Sequence, residues 1–486
     1  MERKNAWEGY NADQLEELDG LASRYIDYIS NNKTERRCFA AAVKQAEAAG
    51  YESLENVVRE GRTLEAGSKV WAGVHGKSLI LAHIGTEPLE PPLSLFWAPR
   101  AAEPLEAGLN ILGAHIDSPR LDLKQNPVYE NNGFAFLDTH YYGGIKHYQW
   151  VTLPLALHGV VAKTDGTVVD VNVGDDAGDP VFCVTDLLPH LGNQQMAKKG
   201  SEVVEGENLD VLIGNRPLKV EPADDASDEE KAAAKEPVKA FALKLLEEKY
   251  GIAEEDFLSA EIEVVPAGRA RELGFDRSMV IGYGQDDRVC AYTSLEAQLA
   301  IETPKKTAVT VLVDKEEIGS VGATGMGSLF FENTIAEIAA LTGLESPLAL
   351  RRVLAASRML SSDVSAGFDP AYASVFETKN AAYLGKGLVF NKYTGARGKS
   401  GSNDARAEYV AYVRRVMDDA EVSFQTAELG KVDAGGGGTI AYIPAKYGMD
   451  VIDSGVAVLS MHAPWEVTSK ADIFEAYRGY RAFLEA

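Results

Sequence analysis

The chain opens on a helical stripe. Leu15, Leu18, Leu21, Ala22, Tyr25, Ile26 and Ile29 recur at intervals of three and four, the spacing that collects apolar side chains on one helix face. Past Gly76 the pattern shortens. Residues 78–82 and 109–114 form near-continuous apolar runs, which predict short strands covered on both faces. Between residues 152 and 173, β-branched positions alternate around the turn Thr164-Asp165-Gly166, which predicts a hairpin-rich segment. Near residue 274 strand and helix alternate again. Apolar runs at 279–281, 309–313, 353–360 and 456–459 are separated by helical stretches such as 289–301 and 471–484. This order predicts an α/β domain, residues 1–122 and 274–486, interrupted by an inserted β-rich domain, residues 123–273. The acidic, alanine-rich stretch 221–230 predicts an exposed loop, since it lacks the Asp-x-Asp-x-Asp-Gly spacing of a calcium loop.

Composition narrows the function classes. The 486 residues carry 48 Lys and Arg against 73 Asp and Glu, a net charge of −25. Such a surplus repels phosphate backbones and anionic membrane surfaces, so neither nucleic acid nor a membrane is an expected partner. Cys38, Cys183 and Cys290 are far apart, with no C-x-x-C pair, which argues against a disulfide framework or a thiolate zinc site. The residues after Met1 are polar, and the apolar run 151–162 is interrupted by Pro154 and His158. Neither a signal peptide nor a membrane span is expected, and the cytoplasm is the expected location.

In open α/β sheets ligands bind outside the carboxyl ends of the strands. Just past successive apolar runs the chain places His115-Ile116-Asp117-Ser118-Pro119, Asp286-Asp287, Glu316-Glu317-Ile318-Gly319-Ser320, Ser362-Asp363 and Ser460-Met461-His462. Singly, each has an ordinary explanation. A Glu-Glu pair is usually solvated, Asp286-Asp287 can cap a helix, and a lone histidine is usually structural, as we read His75, His83, His140, His158 and His190. Together they make a different case. Two imidazoles, one shared carboxylate and two further carboxylates are the donor set of a two-metal hydrolytic site. Of the Glu316-Glu317 pair, neighbouring residues facing different ways, one can ligate while the other accepts a proton. Asp117, two residues after His115, can accept the second ring N–H and fix the tautomer. The run Gly435-Gly436-Gly437-Gly438-Thr439 lacks the ending of a phosphate loop; its glycines would let backbone approach a substrate or metal-bound water, or form a flexible loop with no role.

These five motifs, in this order, resemble the aspartyl aminopeptidase and vacuolar aminopeptidase family of dinuclear metallo-aminopeptidases, in a bacterial-type member. The resemblance runs from about residue 15 to the C-terminus. It implies a mixed-sheet α/β metallopeptidase domain with helices on both faces and an inserted dimerisation domain. It also implies Asp286 as the carboxylate bridging two ions, His115 and Asp363 on one ion, and Glu317 and His462 on the other. Glu316 would be the general base and Asp117 the partner of His115. The ions would be zinc, with cobalt or manganese as substitutes, and the assembly a homododecamer built from dimers. The segment Tyr142-Gly143-Gly144-Ile145-Lys146-His147 resembles one that lends a histidine to a neighbouring active site, which makes His147 a candidate for stabilising the oxyanion. Acid-preferring members carry a lysine where this chain has Asn391, with Lys392, Arg397 and Lys399 nearby.

The expected function is therefore a metal-dependent aminopeptidase that releases an acidic or neutral first residue from peptides with a free N-terminus, through a bridging water and a glutamate base. Another co-catalytic hydrolase, such as an N-acyl amino acid deacylase or a carboxypeptidase, would use the same ligands. A non-catalytic, self-assembling shell protein is the rival from a different class.

Overall fold

The computed structural model describes residues 4–87, 108–219, 227–395 and 398–486. The chain divides into two compact units. One comprises Met1–Ser118, Ala270–Met461 and Glu466–Ala486; the other comprises Pro119–Arg269 and the turn His462–Trp465.

In the first unit the elements that matter for the site are helix α1 (Ala12–Asn31), strands β1 (Asn110–His115) and β2 (Met279–Gly282), helix α2 (Gln285–Leu299), strands β3 (Ala308–Val313), β4 (Arg358–Ser362), β5 (Leu388–Asn391), β6 (Asp450–Gly455), β7 (Ala457–Leu459) and β8 (Glu466–Ser469), and helix α3 (Lys470–Glu485). Helix α1 starts at a capping box in which Asn11 and Gln14 bond each other's backbone N–H groups. It buries Leu18, Leu21, Ala22, Tyr25 and Ile29, while Leu15 stays exposed.

Strands β3, β1, β4, β6 and β5 are neighbours in that order within a nine-stranded sheet. The β3–β1, β1–β4 and β4–β6 pairs are parallel, whereas β5 runs antiparallel to β6. Four adjacent strands thus end on one edge. Their alternate residues enter two separate cores. Leu112, Ala114, Leu312, Leu360 and Ile452 pack with Tyr25, Leu295 and Phe474 of the three helices. Ile111, Val309, Val311, Met359 and Val451 pack with Phe331, Ile335, Ile338 and Leu354. Burial on both faces is why β1 and β3 read as apolar runs without alternation, and each buried Leu, Ile, Val or Met side chain among these contributes about 1.5–3 kcal/mol.

Two expectations need correction here. The run 353–360 is not one strand: helix Pro347–Ala356 ends inside it and β4 begins at Arg358. An apolar run does not by itself separate a buried helix end from a buried strand. Nor do all five motifs leave one sheet. Strands β2, β8 and β7 belong to a separate five-stranded sheet, in which β8 pairs antiparallel with both others.

The second unit is built on a six-stranded antiparallel sheet in the order Val168–Val173, Leu155–Ala162, Ala260–Pro266, Arg120–Asn131, Phe134–Tyr142, Val211–Gly214. The first two strands are the hairpin that the alternation over 152–173 predicts. Of the stretch expected as a loop, residues 221–226 lie outside the described residues. The rest is a helix start: Ser227 and Glu230 form a capping box at the head of helix Asp228–Lys235, a local signal that outweighs the run of charge. Among the described residues no helix is long and apolar enough to cross a membrane. All three cysteines are free thiols.

Candidate metal centre

Strand β1 ends on His115. Strand β3 leads into Glu316 and Glu317 through a turn in which Lys315 and Gly319 adopt φ of 72° and 94°. Strand β4 leads to Asp363, β2 leads through Gly284 to Asp286, and His462 follows β7. His115, Asp286 and Asp363 each bring one ligand atom to within 4.8 Å of the others, and Asp286, Glu317 and His462 do the same. Asp286 is common to both groups.

His115 is 1% exposed. Its Nδ1 lies 3.0 Å from the Asp117 carbonyl oxygen and 3.4 Å from Asp117 Oδ1. A proton on Nδ1 therefore has two acceptors on one residue, which leaves the Nε2 lone pair for a cation. Nε2 stands 3.3 Å from Asp286 Oδ1 and 3.9 Å from both Glu316 Oε2 and Asp363 Oδ1. Asp117 has a second task that its spacing from His115 does not announce. Its two carboxylate oxygens accept the backbone N–H groups of Glu316 and Glu317, both at 3.2 Å. One buried carboxylate thus orients the imidazole and sets the turn carrying both glutamates.

The Asp286–Asp287 step is held just as closely. Ser118 Oγ donates to the Asp286 carbonyl at 2.6 Å, Asp286 N donates to Glu466 Oε2 at 3.0 Å, and His115 N donates to Asp287 Oδ2 at 3.3 Å. Gly284, at φ 71°, permits this approach: a Cβ there would meet the Arg288 guanidinium at 2.2 Å and Ser118 Oγ at 2.8 Å. Sequence reasoning passes over Ser118 and Glu466 as partners. Glu466 faces Gly282 across the β2–β8 pair, and only strand pairing reveals that.

The electrostatics are those of a cation site. Burial alone would strip His115 of its proton, yet Asp117, Asp286, Asp287 and Glu316 outweigh burial and push its pKa well up. Burial, then Glu316 and the neighbouring aspartates, push the Asp363 carboxyl well above its usual range. Burial and Asp286 do the same to Asp287, against the pull of His115. Crowding several buried carboxyls around one imidazole is costly unless cations join them. Imidazole nitrogen with carboxylate oxygen, one carboxylate shared, is a donor set that zinc accepts. The residues therefore fit a metal.

Other expected residues stand elsewhere. His147 lies in the second unit, in a short turn, with Nδ1 2.9 Å from the Val204 carbonyl and its ring against Tyr141. Asn391 is buried, accepts from Ser365 Oγ at 2.6 Å and donates to the Ala427 carbonyl at 3.0 Å. Lys392 and Lys399 both bind Asp404. Arg397 lies outside the described residues. Among the buried carboxyls that sequence reasoning missed is Asp453, on β6, which accepts from Thr439 Oγ1 and is pushed up to about 7 by burial, against the Thr439 bond.

Comparison with known proteins settles the class. Residues 28–484 match the peptidase M18 profile, described as aminopeptidase I zinc metalloprotease. The chain belongs to the peptidase M18 family. It is 58% identical over 483 residues to the probable M18 family aminopeptidase 1 of Clostridium acetobutylicum, covering 99% of this chain and 98% of that one. The crystal structure of aminopeptidase I from Clostridium acetobutylicum superposes with a TM-score of 0.87 at 57% identity, covering 100% of both chains. That of an M18 aminopeptidase from Thermotoga maritima does so with a TM-score of 0.88 at 43% identity, covering 100% of this chain and 99% of that one. A more distant structure, the S. cerevisiae mApe1 dodecamer, shares the fold with a TM-score of 0.72 at 18% identity over 95% of each chain. The M18 membership makes this chain a metal-dependent aminopeptidase of mixed α/β fold, as its motifs imply. The deacylase, carboxypeptidase and shell readings fall away.

Proposed function

We propose that this M18 aminopeptidase works with two metal ions that share Asp286, with His115 and Asp363 completing one site and Glu317 and His462 the other. The observation that carries the reading is the pair of ligand groups overlapping at Asp286. Two divalent ions, zinc or in its place cobalt or manganese, supply Lewis acidity toward the scissile carbonyl and the attacking water. Glu316, with Oε2 3.9 Å from His115 Nε2, takes a proton from that water and later passes it to the leaving amine. Asp117 keeps the His115 tautomer and holds Glu316 and Glu317 by their backbones.

The first residue released is neutral rather than acidic. Both polar atoms of Asn391 are spent on Ser365 and Ala427, and Lys392 and Lys399 are neutralised in part by Asp404. A carboxylate on the substrate would find no cation at Asn391 to pair with. In this reading residues 1–122 and 274–486 are the catalytic domain and 123–273 the dimerisation domain. His147 acts in a neighbouring subunit's site within a dodecamer like the yeast one, and the enzyme works in the cytoplasm, where its free thiols are at home.

The test is amino-acid release from peptides beginning with Asp, Glu, Leu, Met or Lys, each with a free or an acetylated N-terminus. Protein stripped by a chelator should be inactive, and zinc, cobalt or manganese should restore cleavage of the free-amino peptides alone, with Leu and Met ahead of Asp and Glu. Restoration at one bound ion per subunit would sink the two-metal reading. Preference for Asp and Glu would sink the neutral pocket.

A further inference from the structure

Residues 435–438 form a run of glycines, and the fold needs only part of it. Gly435 is required by packing, since a Cβ there would stand 1.8 Å from the Leu429 carbonyl, and Gly436 adopts a φ of 128°. Gly437 and Gly438 are different. Neither has a positive φ, and the nearest atoms to an added Cβ lie at 3.8 and 3.9 Å, ordinary contact distances. The folded chain would tolerate a side chain at either. Glycine is also the residue used where a ligand must come close to backbone.

The run is tethered at its far end. Thr439 Oγ1 donates to Asp453 Oδ1 at 2.5 Å and accepts from Ala441 N at 3.2 Å. Asp453 is 2% exposed, and its Oδ2 has no hydrogen-bond partner among the described residues. Its neighbour across the parallel β4–β6 pair, Ser361, also has a buried hydroxyl without such a partner. Both sit next to the metal centre. Ser454, the next residue after Asp453, accepts the backbone N–H of Asp363 at 3.0 Å, and Gly455 lets β6 come so close that a Cβ there would stand 1.8 Å from the Asp363 carbonyl. Glu316 acts on Asp453 through its charge. A buried carboxyl at such a place is costly for stability alone.

We propose that the backbone of Gly437 and Gly438 is the surface on which the peptide substrate lies beside the metal centre, and that the Asp453–Thr439 bond latches this surface in place. Asp453 is then a positioning residue that acts through Thr439; the Gly437 carbonyl is held by Gly395 N at 2.7 Å, and the empty side-chain positions at 437 and 438 leave room for the substrate main chain. The inference rests on the aminopeptidase reading.

The test combines Gly437→Ala, Gly438→Ala, Thr439→Val and Thr439→Ser in the full-length, zinc-loaded protein. The alanine variants should keep the melting temperature, since the chain has room for them, and should raise KM for a leucine peptide by roughly tenfold. Thr439→Val should raise KM by about as much, losing its buried hydrogen bond to Asp453, while Thr439→Ser stays within about threefold of the parent. Hydrogen exchange reads the latch without turnover: amides of 434–441 should exchange faster in Thr439→Val and not in Thr439→Ser. Unchanged KM in both alanine variants would overturn the substrate surface, and unchanged exchange in Thr439→Val would overturn the latch. A parent protein that cleaves no peptide would instead count against the aminopeptidase reading, and the exchange arm would still decide the latch.

Discussion

Two groups of carboxyls in the first unit, one fully buried and one partly so, are compensated in opposite ways. On α3, Asp472 and Glu475 are fully buried. Asp472 accepts the backbone N–H groups of Gly385 and Gly387, both at 2.7 Å, and Glu475 accepts from Tyr10 Oη, Arg478 and Ser423 N. That group is complete within the protein, and it ties the chain's start and the 385–387 turn to the last helix. At the strand ends the carboxyls of Asp286, Asp287, Glu316 and Asp363 gather around the single imidazole of His115, and burial with the neighbouring charges pushes Asp287 and Asp363 well up. The same side-chain chemistry is structural where backbone donors meet it, and makes a candidate metal site where carboxyls meet chiefly each other.

The comparison breaks first at Glu316. If it is the base among these carboxyls, Glu316→Gln should cut turnover by about three orders of magnitude. Zinc content and KM should change little, as metal analysis and steady-state kinetics would show. A variant that kept most of its activity would put the base elsewhere.

Asp117 sharpens the contrast, since it has donors of the α3 kind yet lies beside His115 in the candidate metal centre. Asp117→Asn can no longer accept both Glu316 N and Glu317 N as it does now. Zinc affinity should weaken roughly 10- to 100-fold, measurable by competition with a chromogenic chelator. An unchanged affinity would mean that the turn holds itself.

The smallest effect is expected on α3. Burial pushes the Asp472 carboxyl up to about 7, only partly offset by the two glycine N–H bonds. Raised above its unfolded value, this group contributes stability in full below about pH 4 and loses it as pH rises through 7, by at most about 1.4 kcal/mol per pH unit. Asp472→Asn should therefore flatten the fall in stability between pH 4 and 7 in denaturant titrations. Parallel pH profiles for parent and variant would show that Asp472 keeps its charge on folding.

Much of the site is legible in the sequence because metal chemistry constrains residue type locally. A strand long enough to cross a sheet reads as an apolar run, and the first polar residues after that run mark the strand's end. His115, Glu316-Glu317 and Asp363 could be found that way, from β1, β3 and β4. Asp286 and His462 come after apolar runs as well, but the sheet that carries β2 and β7 could not be told apart from the first, because an apolar run does not say which strand it pairs with. The error over 353–360 has the same origin.

By itself, then, the sequence determined the alternation of strand and helix, a β-rich segment within it and the residue types of a candidate metal site, since these arise from periodicity and ligand chemistry within a few residues. Tertiary structure alone decided that Asp117 holds two glutamates by their backbones, that Glu466 anchors Asp286, that the amide of Asn391 is spent on Ser365 and Ala427, and that Asp453 reaches Thr439. Each depends on hydrogen bonds between segments far apart in the chain. Their partners are chosen by strand register and close approach at residues such as Gly284 and Gly455, and no local pattern encodes either.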